Sequence, residues 1–182
     1  MTGLSGSVVT AARAGDADAL GLVYRSLAPK VFGYLRAHGV EDPESLTNEV
    51  FLNVIPRLSG LTGGASGLQT LVFSVAHARV VDELRRRSRR PAPLPYEPET
   101  DHRYEDSAET AALSRVATQD VMQMLDSLGE EQKTVVVLRV LADLSLEQTA
   151  EVVGKSVGAV KQLQRRGLLA LRGLIERGEV AW

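Results

Sequence analysis

The sequence predicts an all-α protein: two small helical domains joined by a flexible acidic linker. Three features carry this reading. Apolar residues recur at helical spacing, as in Leu20, Val23, Leu27, Val31 and Leu35. Four prolines crowd Pro91–Pro98, each lacking an amide donor and disfavouring a helical residue before it. Charge also segregates: residues 1–90 carry a net +3, residues 91–126 a net −6 and residues 127–182 a net +1, within a whole-chain charge of −2. The acidic, proline-rich middle buries too little apolar surface to offset its ordering entropy, so it reads as a linker. The expected units are 1–88, a linker over 89–110, and 111–182.

The elements follow in order. A short helix is expected over Val8–Ala14. Asp16 to Ala19 then cap a helix running to about Ala37, with Tyr24 and Tyr34 added to its apolar spacing. Asp42-Pro43-Glu44 gives an N-cap, a first-turn proline and a carboxylate. The helix it opens carries Leu46, Val50, Phe51, Val54 and Ile55, and Pro56 lies near its end. Ser59–Gly67 holds four glycines and is expected to be a loop, followed by a helix from about Leu68 to Arg87. That helix ends in a basic run, Arg85-Arg86-Arg87-Ser88-Arg89-Arg90. In the second half, helices are expected over Ala111–Leu125 and from Leu128 through Val140. Ser145 and Gln148 have capping-box spacing for a short helix that stops at Gly154, and a longer one runs from Ser156 to about Arg177.

Composition excludes several function classes. The 182 residues include no cysteine, which removes disulfides, thiolate zinc ligands and a cysteine nucleophile. No apolar run is long enough for membrane insertion, and Met1–Thr10 lacks the charged and apolar regions of a signal peptide. A cytoplasmic protein is expected. His38, His77 and His102 have no metal-ligand spacing, no glycine-rich phosphate loop precedes a helix, and no cofactor, metal or catalytic residue is expected. With 4% aromatic residues, the cores must be built from Leu, Val and Ala.

A short helix, a glycine turn and a longer helix form the arrangement that sets a recognition helix in the major groove. In the longer helix Val160, Leu163, Gly167, Ala170, Leu171 and Leu174 share one stripe. Lys161, Arg165 and Arg172 fall within about 40° of one another on the opposite side. Lys155, Ser156, Lys161 and Gln162 are placed to reach base edges, and the basic face suits phosphates.

The blocks Asp126–Arg139, Asp143–Gly154 and Val157–Lys161 resemble region 4 of bacterial sigma factors, with the extracytoplasmic-function (ECF) group the best fit. Asp42-Pro43-Glu44-Ser45-Leu46-Thr47-Asn48-Glu49-Val50-Phe51-Leu52 is similar to region 2.2 of the same family, and Leu68–Arg87 sits where regions 2.3 and 2.4 belong. The sequence departs from the family pattern at Ser45, Asn48, Leu71, Ala78 and Ala159, departures that bear on promoter sequence more than on role.

The resemblance implies a sigma factor that binds core RNA polymerase and directs it to promoter DNA. Lys155, Ser156, Gly158, Ala159, Lys161, Gln162 and Arg165 would then read the −35 element. Ser66, Gln69, Thr70, Arg79, Arg85 and Arg86 would capture the opened −10 strand, with the glycine-rich loop as a flexible pocket wall. Glu44, Asn48 and Glu49 match the polymerase-docking surface, although Glu44 equally complements its helix dipole. An anti-sigma factor is implied as a further partner, and a flexible linker would let it clamp the two domains. Two alternatives stand beside this reading: a stand-alone helix-turn-helix regulator binding duplex DNA without polymerase, and a helical protein that titrates a regulator. An enzyme fits least.

Overall fold

The computed structural model describes residues 4–89 and 120–178, and these residues form helices and turns with no strand among them. Residues 90–110 of the expected 89–110 linker, and the helix expected from Ala111 as far as residue 119, lie outside that description, while residue 89 ends the last helix of the first half. The elements are α1 (Gly6–Arg13), α2 (Ala17–Ala37), α3 (Pro43–Val54), a 3-10 helix (Ile55–Gly60) and α4 (Gly64–Arg89). Residues 120–126 follow as α5, then α6 (Glu130–Val140), α7 (Leu146–Val153) and α8 (Val157–Glu176).

Local chemistry sets the starts of these helices. Asp16 accepts a hydrogen bond from the Ala19 amide at 2.8 Å, and Asp42 accepts one from the Ser45 amide at 2.9 Å. Each satisfies a first-turn donor that the helix itself leaves free. Pro43 occupies the first turn of α3, where no amide is needed. The first half packs around Tyr34, Leu27, Leu35, Leu68, Val72 and Phe73, all essentially without solvent exposure. Phe73 meets Tyr34 edge-on at 5.9 Å between ring centroids. Tyr24 leaves its expected apolar stripe: it is 40% exposed and donates its hydroxyl to Asn48 Oδ1 at 2.7 Å.

The glycine-rich stretch corrects the sequence expectation. Only residues 61–63 are loop, because the 3-10 helix continues through Gly60 and α4 begins at Gly64. Gly63 and Gly64 take left-handed φ values of 81° and 59°, so two residues reverse the chain where nine were expected to do so. The Gly67 amide donates to the Gly63 carbonyl at 3.1 Å within the first turn of α4. The bare Cα of Gly67 lies against the Thr62 carbonyl, and a Cβ there would collide with it.

In the second half Val135, Ala150 and Val160 form a small core that joins α6, α7 and α8. Gly167 presses against Val136. Ala170 was expected in the same packed stripe but is exposed. Gly167 already faces Gln132, near the start of α6, so α8 then runs beyond its partner. Leu171 and Leu174 are only half-buried for the same reason.

The two halves also pack directly on each other. Val137, Leu138, Ala142, Leu144 and Val152 belong to the same buried cluster as the first-half core, a continuity that the reading of two linker-joined units does not anticipate. His38, 6% exposed, is the polar hinge of this contact. Its Nδ1 is 2.8 Å from the Tyr34 carbonyl, which can only accept, so Nδ1 carries the proton. Nε2 then accepts from the Thr134 hydroxyl of α6 at 3.0 Å. Tyr34 in turn places its hydroxyl 2.8 Å from His77 Nδ1 on α4.

Burial holds the His38 imidazole below its ordinary pKa of 6.5, and Lys133 adds to this; the Tyr34 carbonyl and Glu130 oppose it. His77 is also lowered, by burial and then by His38. Both rings are therefore neutral when packed, and an unfolded chain takes up their protons first as pH falls. Stability should be at its plateau above about pH 6.5 and should decline progressively below it. Thermal melts between pH 7.5 and 5 should show that decline, and His38→Gln should flatten it.

Gly154, with φ of 65°, ends α7 in the left-handed conformation, and a Cβ there would meet no atom. Gly154→Ala should therefore cost about 1 kcal/mol from backbone strain alone, read as a lower denaturation midpoint with an unchanged slope.

Candidate nucleic-acid interface

The helix-turn-helix is assembled from α7, the Gly154 turn and α8. Ser145 Oγ accepts from the Gln148 amide at 3.1 Å, while Gln148 Oε1 accepts from the Ser145 amide at 2.8 Å, completing the capping box. Ser156 caps α8 by accepting from the Ala159 amide at 3.2 Å. Val160 is fully buried, which fixes the roll of α8 and turns Gly158, Lys161, Gln162 and Arg165 to solvent. Ala159 is half-buried beside them.

Among the described residues no ion pair engages Lys161, Arg165 or Arg166. Arg166, exposed on the same helix, is a cation that the expected −35 set omits. Lys155 differs from its neighbours because Glu131 of α6 holds its ammonium at 2.8 Å. That pairing makes it a strut between α6 and the start of α8. The Glu147 carboxyl is held below the usual range by its own amide and the Ser145 hydroxyl, and further by Lys161 and Arg139. An anion at the edge of the basic face disfavours non-specific phosphate contacts there.

The expected −10 residues divide into two groups along α4. Ser66, Gln69 and Thr70 sit at its start, Ser66 exposed, Gln69 half-buried and Thr70 only 6% exposed. Thr70 Oγ1 donates to the Ser66 carbonyl at 3.1 Å. Gln148 Nε2 of α7 donates to both that carbonyl, at 3.0 Å, and Thr70 Oγ1, at 3.2 Å. Much of the expected flexible wall is thus a helical turn, exposed at Ser66 and joined to the second half through Thr70. Arg79 lies about 14 Å beyond Thr70 along the helix axis, from the rise per residue.

Arg79 and Arg86 share a cleft of about 460 Å³ between α3 and α4 with Glu41, Asp42, Glu49, Asp82 and Glu83. Arg85 points elsewhere and approaches Asp82 at 3.9 Å. Glu83 takes Arg86 at 2.9 Å and Arg87 at 3.1 Å, and those hydrogen bonds hold its carboxyl below the usual range, Arg86 contributing most. Part of the basic run is therefore neutralised within its own helix.

Glu44, Asn48 and Glu49 are all exposed on α3. Leu52, 70% exposed, and Ile55, 44% exposed, continue the Glu44–Asn48 stripe by one and two turns. Both add apolar contact area to a polar face, and Leu52 was not among the expected docking residues. Its signal in the sequence is a large apolar side chain in register with polar ones.

Residues 124–173 match the family model described as Sigma-70, region 4, which makes the helix-turn-helix a sigma-type one. Over 97% of its length the chain is 32% identical to the ECF RNA polymerase sigma factor ShbA of Streptomyces griseus, and it covers 97% of that protein. It is 30% identical to the ECF RNA polymerase sigma factor BldN of Streptomyces coelicolor over 92% of this chain, and it spans 64% of BldN. The fold is that of CnrH in its complex with the cytosolic domain of CnrY, with a TM-score of 0.69 at 18% identity, covering 96% of this chain and 98% of CnrH. The chain belongs to the ECF RNA polymerase sigma factors. Its function is that of a sigma factor acting with core RNA polymerase, and the stand-alone regulator is not favoured. No described helix is long and apolar enough to cross a membrane.

Because Glu83 occupies two guanidinium groups, Glu83→Gln should release them. Single-stranded DNA should then bind more tightly at low salt, with a steeper salt dependence, as read by fluorescence anisotropy across a salt series.

Proposed function

We propose that α8 reads the −35 duplex through Gly158, Ala159, Lys161, Gln162 and Arg165, and that Lys155 and Ser156 set its approach. The observation that carries this is the unpaired, exposed Lys161–Arg165 face opposite the buried Val160 and Gly167. A major-groove reader needs one packed face and one cationic polar face on the same helix. Arg166 joins the phosphate contacts.

Ser66, Gln69 and Thr70 engage the unstacked −10 strand, and Arg79, Arg85 and Arg86 follow its phosphates along α4. Glu44, Asn48 and Glu49, with Leu52 and Ile55, dock on core polymerase. The working units are residues 1–88 and 111–182, with 89–110 as the linker between them. The protein acts in the cytoplasm and carries no chemistry of its own, since the polymerase performs nucleotidyl transfer. An anti-sigma partner is part of this reading. It is supported by the family and by the likeness to CnrH, a protein whose structure is a complex with CnrY. Because the two halves already touch, such a partner would hold them together and would not need to gather them.

The test is transcription by core polymerase on pooled high-GC promoter fragments, with and without the chain. Specific transcripts should appear only with it and should vanish for Lys161→Glu/Arg165→Glu, while the variant keeps its melting temperature. Neutralising the same pair to alanine should lower the log–log salt slope of duplex binding by about 2. Glu44→Lys/Asn48→Lys should lose transcripts and polymerase binding but keep duplex binding. Transcription unaffected by either pair would refute the assignments.

A further inference from the structure

Two asparagines on α3 hold their amides in opposite ways. Asn53 turns Nδ2 back along the helix and donates to the Glu49 carbonyl one turn earlier, at 2.8 Å. Short polar side chains on a helix readily find such a backbone partner. Asn48 does not take it. The Tyr24 hydroxyl of α2 donates to Asn48 Oδ1 at 2.7 Å and holds the carbonyl end of the amide toward α2. Among the described residues Asn48 Nδ2 has no hydrogen-bond partner.

The Tyr24 ring is itself fixed in place. It packs on Phe51 of α3, with ring centroids 4.8 Å apart and planes at 58°, and Phe51 is buried. Val50 and Val54, both buried, set the roll of α3, so Asn48 faces solvent beside that ring. Glu44 lies one turn before Asn48 and Leu52 one turn after it, and both are exposed. Tyr24, 40% exposed, borders this stripe from the neighbouring helix.

We propose that Tyr24 is a positioning residue for polymerase docking, and that through it Asn48 presents a hydrogen-bond donor to an oxygen acceptor on core polymerase. The amide is planar, so holding Oδ1 toward α2 turns the two Nδ2 hydrogens away from it. The same bond keeps Asn48 from folding back onto the Glu44 carbonyl, as Asn53 folds onto that of Glu49. Docking then meets a donor already oriented, and less rotamer freedom is lost on binding. Leu52 beside it excludes water from the new bond once the partner is seated. The docking surface therefore extends from α3 onto α2. This inference rests on the reading of Asn48 as a polymerase contact.

The test is a double-mutant cycle on the full chain, in which each variant competes with labelled wild-type chain for core polymerase. Tyr24→Phe removes the hydroxyl and keeps the ring on Phe51. It should weaken polymerase binding about fivefold, the scale of one well-placed hydrogen bond. Its thermal midpoint should fall by no more than about 3 °C. Asn48→Ala should weaken binding at least as much, and Tyr24→Phe should then add nothing, because no amide is left to orient. Asn48→Asp keeps an acceptor for Tyr24 but replaces the outward donor with an oxygen. At high salt, where the added charge is screened, it should bind as poorly as Asn48→Ala.

A Tyr24→Phe chain that binds polymerase like wild type, while Asn48→Ala does not, overturns the positioning role and leaves the docking assignment standing. Equal losses from Tyr24→Phe with and without the Asn48 amide mean that the hydroxyl acts alone, which overturns the positioning role too. Wild-type binding by Asn48→Asp overturns the outward donor. Wild-type binding by Asn48→Ala removes Asn48 from the polymerase contacts, and the positioning role goes with it.

Discussion

The hydroxyl of Tyr34 must find a partner inside a core that excludes water, and much of the architecture follows from how it does so. The ring is completely buried, and its oxygen meets His77 on α4. Burial raises the phenol well above its ordinary pKa, with Glu130 adding to the effect, so the hydroxyl stays protonated. The carbonyl of the same residue dictates which nitrogen of His38 carries hydrogen, and His38 then meets Thr134. One residue thus ties α2 to α4 through its side chain and to α6 through its backbone. Breaking such a chain in the middle leaves buried polar groups unmatched, a larger penalty than the net worth of any single bond.

Around this polar line the packing is aliphatic, and it divides unevenly. The first half has a core large enough to take Tyr34 and Phe73 edge-on. The core between α6, α7 and α8 is built on Val135, Ala150 and Val160, with half-buried neighbours such as Leu146 and Leu163. A core this small contributes little by itself. Leu138, Ala142 and Leu144 gain their burial from the first half instead. The Lys155–Glu131 pair supports the turn where apolar contact is thinnest, although its exposure keeps that support modest.

Much of this was legible in the sequence, and the reasons are local. The caps at Asp16, Asp42, Ser145 and Ser156 act over three residues and can be read directly. The sigma-type motifs likewise placed α6, α7 and α8. What escaped depends on distance in space. The covering of Thr70 by Gln148 joins residues 78 positions apart, and the His38–Thr134 contact joins residues 96 apart. Neither leaves a periodicity or a composition signal. The neutralisation of Arg86 and Arg87 by Glu83 is readable at helical spacing, because the carboxylate precedes them by three and four residues. The glycine-rich stretch misled for a different reason: glycine content reports conformational freedom, and here two left-handed residues use it while the next turn is helical.

On the proposed −10 assignment, the packing of Gly67 on the Thr62 carbonyl bears on how promoter preference can be altered. A library randomised across residues 62–70 and selected for a new −10 sequence would return glycine at position 67 almost without exception. Statistics alone would rank it beside genuine recognition residues. Its invariance would instead record a steric veto: any side chain there displaces the start of α4, and with it Ser66, Gln69 and Thr70 together. Designers altering specificity therefore inherit a fixed pivot, and the variable positions are those whose side chains can change without moving that first helical turn.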